Sequence, residues 1–206
     1  MKPFRPAALA FALSFAAAGI AAAAEPSLKP VPVPDLSKFP QATAETLRKE
    51  RTSFDNVSKN VSGDALVETY ALLASAYARA GLYTEAAVAL EDAARLAPDN
   101  GIWPYAQGVV AHLQKRDDDA RTLFTRAFSL SPDYLPVRVA LANLRIQAGD
   151  LPGARNLLAE YTQRHPGIAV PFVLLGEIAM KEKRYADAVQ AFAAPTGQIG
   201  HEDVTG

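Results

Sequence analysis

Three prolines, Pro98, Pro132 and Pro166, stand 34 residues apart, and four alanines, Ala86, Ala120, Ala154 and Ala188, recur at the same spacing. Two registers locked to one period mark a chain built from internal repeats, each repeat being one supersecondary unit. Each period reads as two amphipathic segments. In the first period, VETYALLASAYARAG (67–81) and YTEAAVALEDAARLAP (83–98) both carry apolar residues three and four apart, the helical pattern. The unit is therefore a helical hairpin, and the chain is expected to be all-α, a superhelix of stacked hairpins.

The recurring residues have physical roles in such a stack. Ala74, Gly108, Ala142 and Gly176 are small residues in the middle of the first helix, and the four periodic alanines are small residues early in the second. Both places are where backbones must approach closely. Leu90, Phe124, Leu158 and Phe192 are large apolar plugs for the space between one hairpin and the next. Gly81 and Gly149 fall where a first helix must end and turn, and the periodic prolines stop the second helix.

In period and chemistry these residues resemble the tetratricopeptide repeat (TPR), over three full units (67–100, 101–134 and 135–168) and an incomplete fourth (169–194), within an array at 63–194. The family's run of Leu, small residue and Tyr is kept in unit one as Leu73, Ala74 and Tyr77. Unit two has Gln107 where Leu is usual, and unit three has Tyr161 where a small Ala is usual, which makes packing there less regular. The stretch DNGIWPYAQG, with a Pro-rich start and PDLS at Pro34 to Ser37, is also similar to exported bacterial envelope TPR proteins whose arrays run longer.

The flanks differ in composition. Lys2 and Arg5 precede an uncharged apolar run, broken only by Ser14 up to Ile20, and Ala22 to Ala24 supply small residues before Glu25. That is the layout of a cleavable signal peptide, residues 1–24, and implies a periplasmic or secreted protein with no membrane insertion after cleavage. Residues 25–40 hold five prolines and are expected to be extended, a spacer or strap. Residues 41–62 are expected to form an amphipathic helix with Leu47, Phe54 and Val57 on its apolar side. At the other end Pro195 breaks unit four, and 195–206 is expected to be a non-helical tail. A repeat stack normally ends on a polar cap. Three explanations stay open: the tail folds back, a partner covers the edge, or the chain is a truncated form of a longer array.

Composition removes several function classes. The 21 Lys and Arg balance 22 Asp and Glu, and without Lys2 and Arg5 the basic count falls to 19, so the chain lacks the positive excess that nucleic-acid binding needs. The absence of Cys excludes disulfides, thiolate nucleophiles and cysteine-ligated zinc. His112, His165 and His201 are scattered, Asp117 to Asp119 fall at a helix start where acidic groups offset the helix dipole, and no phosphate loop or nucleophile elbow is present. No enzymatic activity, cofactor or metal is expected.

What remains is binding. The resemblance implies that first helices line a concave groove, whose residues here would include Glu68, Ser75 and Arg79 in unit one and Tyr105, Val109 and His112 in unit two. Unit three would add Val139, Asn143, Ile146 and Gln147, and unit four Glu177, Met180 and Lys181. Only Asn143 matches the Lys, Arg and Asn set with which TPR domains grip a terminal carboxylate, so a clamp of that kind is not expected. Two readings follow: a periplasmic scaffold or assembly factor whose groove takes a segment of another protein, or an accessory structural subunit of an envelope enzyme or redox-protein maturation complex that docks through its C-terminal edge. Self-association through that edge is compatible with either.

Overall fold

The computed structural model describes residues 27–194. The segment expected to be a signal peptide, Pro195 and the stretch expected to be a tail lie outside the described residues. Among these the regular elements are nine helices and no strands: α1 (Gln41–Val57), α2 (Asp64–Arg79), α3 (Tyr83–Leu96), α4 (Ile102–Leu113), α5 (Asp117–Leu130), α6 (Leu135–Gln147), α7 (Leu151–Arg164), α8 (Ala169–Lys181) and α9 (Tyr185–Ala193). Each helix packs on the one before and the one after it in sequence, and the helices of one unit pack most closely. The fold is a quasi-one-dimensional stack in which each unit needs its neighbours to bury its apolar faces.

The turn inside each hairpin calls for one left-handed residue. Gly81 (φ 79°) and Gly149 (φ 80°) supply it in units one and three, where no Cβ opposes the conformation. Units two and four place Lys115 (φ 64°) and Lys183 (φ 60°) there instead, so the stack's geometry holds even where the side chain is unfavourable. At the start of α5 the first turn carries Asp117, Asp118 and Asp119, which face the positive end of the helix dipole.

Between the two helices of a unit, the small residue of the first and the plug of the second are matched in volume. Units one and three pair Ala74 with Leu90 and Ala142 with Leu158; units two and four pair Gly108 with Phe124 and Gly176 with Phe192. The glycines are required by the rings: a Cβ on Gly108 would lie 2.5 Å from Cε1 of Phe124, and a Cβ on Gly176 would likewise run into the ring of Phe192. Leu90, Phe124 and Leu158 are each at most 6% exposed, whereas Phe192, with no following unit among the described residues, is 43% exposed.

Tyr161, the large residue in place of a small one, is accommodated by a buried arginine. The Arg138 guanidinium, 1% exposed, donates to the carbonyls of Pro132 (2.8 Å) and Leu157 (3.0 Å), and its Cζ lies over the rings of Phe128 (4.9 Å) and Tyr161 (5.4 Å). The charge is thus hydrogen-bonded and faced by π-electrons, as a buried cation must be.

The array's first edge is closed. Helix α1 lies on α2 through Leu47 and an edge-to-face contact of Phe54 with Tyr70, centroids 4.9 Å apart. Val57, expected on this apolar side, is 40% exposed; Ala44 takes the buried place, because α1 ends at Val57 and turns away. The Pro-rich stretch is a docked strap. Val31 and Pro34 are buried, the Lys29 amide donates to both carboxylate oxygens of Asp92 on α3 (2.9 and 3.1 Å), and Arg51 on α1 donates to the carbonyls of Val31 and Pro32. Polyproline chain has no internal hydrogen bonds, so these side chains satisfy its backbone where Val31 is buried.

Candidate functional site

The first helices of units two and three, α4 and α6, enclose a hollow of about 440 Å³. Its walls are mainly apolar, with Val109 and Leu113 from α4, Leu135, Pro136, Val139 and Ala140 from α6, and Phe124 from α5 behind them. Val170 on α8 adds to the far side. Tyr105 is locked in place by two rings, Phe124 with centroids 5.8 Å away and Tyr134 at 5.5 Å edge-on. Burial, and then the neighbouring Tyr134, push its phenol pKa above the ordinary tyrosine value.

Polar groups are few and differ in state. The His112 ring is engaged, its Nδ1 2.7 Å from the Asp117 carboxylate, which orients the imidazole. Asn143 and Gln147 line the hollow from α6 four residues apart, on one face, and their side-chain amides make no hydrogen bond with the described residues. No Lys, Arg, Asp or Glu is in the lining. A charged ligand group would therefore lose hydration without gaining a counter-charge, whereas an apolar side chain next to a peptide backbone would find both of its needs met.

The structure gathers six of the sequence-derived residues into this hollow: Tyr105, Val109, His112, Val139, Asn143 and Gln147. The others are elsewhere. Arg79 borders a separate depression between α1 and α2, with Thr43 and Thr46. Ile146 is partly buried against the core of units two and three, and Glu177 and Lys181 are exposed on α8 away from the hollow. Glu68 and Ser75 are exposed on α2, and Met180 is exposed on α8. Sequence reasoning missed Leu113, Leu135, Pro136, Ala140, Leu144 and Val170, and placed Phe124 in the core without its part in the hollow's wall. Pro136 and Val170 had a signal, since they hold in units three and four the repeat position that Glu68 holds in unit one. Trp103, by contrast, packs on the core of unit one.

The geometry defines a class, the all-helical solenoids whose stacked hairpins offer a hollow between successive first helices. Two profiles described as Tetratricopeptide repeat match, over residues 71–134 and 111–171, and the protein is a tetratricopeptide-repeat protein. No curated protein matches the sequence. Among solved structures the fold resembles MamA (TM-score 0.61, 18% identity, covering 77% of this chain and 95% of that chain). It also resembles YrrB, described as a TPR protein with an unusual peptide-binding site (TM-score 0.58, 21% identity, 78% and 82%), and pilF of Pseudomonas aeruginosa (TM-score 0.62, 15% identity, 77% and 72%). At these identities the likeness is one of fold.

No group of three or more His, Cys, Asp or Glu among the described residues could hold a metal ion, and no described helix is long and apolar enough to cross a membrane.

Proposed function

We propose that this protein is a non-catalytic, exported scaffold that holds an uncharged, apolar-anchored segment of another protein in the hollow between α4 and α6. The observation that carries the reading is the combination there of apolar walls, no charged lining residue and two side-chain amides without a partner among the described residues, Asn143 and Gln147. An apolar side chain entering beside Val109 and Val139 leaves its own backbone N–H and C=O next to amides that can both donate and accept. The peptide-binding site named for YrrB, a protein of the same fold, agrees with this use. Export is supported by Lys2, Arg5 and the apolar run that ends in Ala22 to Ala24.

The test is site-specific photocrosslinking in cells that export the chain. A photoreactive residue at Val139 should capture a discrete partner, and one at Arg121 on α5 should not. The Asn143→Ala variant should then bind that partner about five- to thirty-fold more weakly, the loss of one interfacial hydrogen bond, while Arg121→Ala binds as the parent does. Capture from Arg121 and not from Val139 would place the binding surface on the second helices and refute the proposal.

A further inference from the structure

The two edges of the array are built differently. Strap and α1 cover the first, whereas α9, the last described helix, shows an apolar stripe of Tyr185 (59% exposed), Val189 (68%) and Phe192 (43%) at positions i, i+4 and i+7. Part of this exposure belongs to the plug Phe192, which no following unit covers among the described residues. Val189 is a separate matter. The same repeat position is Ala87 in unit one, Arg121 in unit two and Arg155 in unit three, and Arg155 reaches across to Glu182 of the next unit at 2.6 Å, whereas only unit four carries a large apolar residue there. In unit four the residue that would face the following unit is apolar.

Charge on this edge is internally balanced. Asp187 is the one charged residue of α9, and Arg184 bridges it (2.5 Å) and Glu182 (3.1 Å). We infer that α9 is a homotypic docking surface, on which a second copy of this chain packs its own α9 antiparallel about a twofold axis. Three observations choose this occupant. A head-to-tail neighbour is blocked, because the opposite edge is occupied by the chain's own α1 and strap. An isologous contact brings each residue close to its copy or to its symmetry mate, which requires a face without net charge. Val189, the most exposed of the three, is the midpoint of α9, the place nearest such an axis, where an arginine such as units two and three carry would repel its own copy.

The chain has no cysteine, so one introduced thiol reports proximity without background. Val189→Cys should form an intermolecular disulfide under mild oxidation, since a bridge needs Cα atoms within about 7 Å. Arg121→Cys, the same exposed repeat position in unit two, should stay monomeric. Sedimentation equilibrium should show a weak, concentration-dependent dimer for the parent chain. Val189→Arg should raise the dimer dissociation constant at least tenfold without changing the circular dichroism, because units two and three already tolerate arginine there. Mixing Val189→Arg with Val189→Glu should restore dimer as the mixed pair alone. A parent chain that remains monomeric up to about 100 µM, above the Kd of a weak specific pair, would overturn the inference. So would a dimer insensitive to Val189→Arg, or equal crosslinking of the two cysteine variants.

Discussion

The Gly108–Phe124 pair permits a quantitative test of how the repeats are packed. Replacing Gly108 by Ala should help α4 by about 1 kcal/mol, because Gly is that much poorer than Ala in a helix interior. The new methyl, however, would sit 2.5 Å from Cε1 and 2.6 Å from Cδ1 of Phe124, a ring 3% exposed and wedged beside Tyr105. Overpacking of this kind costs about 1–3 kcal/mol. The net effect of Gly108→Ala is a loss of up to about 2 kcal/mol, the steric term outweighing the propensity term. Phe124→Leu alone should cost about 1 kcal/mol for the volume it leaves empty. The double variant reproduces the Ala–Leu pairing of units one and three, and should return to within about 1 kcal/mol of the parent, a coupling of about 1–3 kcal/mol. Urea denaturation followed by two probes measures all four proteins, with the midpoint read only where the slope is unchanged. Additive losses in the double variant, or a Gly108→Ala protein more stable than the parent, would refute the matched-volume argument.

Gly176→Ala should be close to neutral under the same assay at a concentration where the chain is monomeric, because the Phe192 ring it meets is 43% exposed in the single chain and can swing aside; a loss there as large as that at Gly108 would mean that the ring is held in place without a second copy. Asp92, fully buried, holds the strap by two bonds from the Lys29 amide, so Asp92→Ala should cost about 2 kcal/mol, as for hydrogen bonds to a charged group. Hydrogen exchange at the Lys29 amide should quicken correspondingly, and unchanged protection would show that Val31 and Pro34 dock the strap unaided. Burial raises the phenol pKa values of Tyr70, Tyr77 and Tyr105, so the native state keeps protons that the unfolded chain has released. Their contribution is complete below the unfolded tyrosine pKa of about 10 and is lost as pH rises through the higher folded values. Urea midpoints from pH 9 to 11.5 should therefore fall, about the range of tyrosine ionisation, and Tyr105→Phe should flatten the decline.

How much of this molecule was legible in its sequence follows from what periodicity reports. Spacing along one chain tells which face of a helix is buried and where the helix stops, and so the period of Pro98, Pro132 and Pro166 determined the hairpins, the plugs and the turns at Gly81 and Gly149. It also determined which helices would carry Tyr105, Val109, His112, Val139, Asn143 and Gln147, because position in the unit sets the direction a side chain takes. Periodicity says nothing about partners far along the chain. That Asp92 captures an amide 63 residues away, that Arg138 threads between Phe128 and Tyr161, and that Lys115 and Lys183 adopt a conformation suited to glycine were decided by tertiary packing. The same holds for the site. Sequence drew a groove along the whole array, while the apolar side chains that α4, α5 and α6 bring around one space confined the hollow to one stretch and left Arg79, Glu177 and Lys181 outside it. A local pattern fixes direction, but enclosure depends on the distance between helices, and that distance is set by the volumes of Phe124, Tyr134 and their neighbours only once the stack has closed.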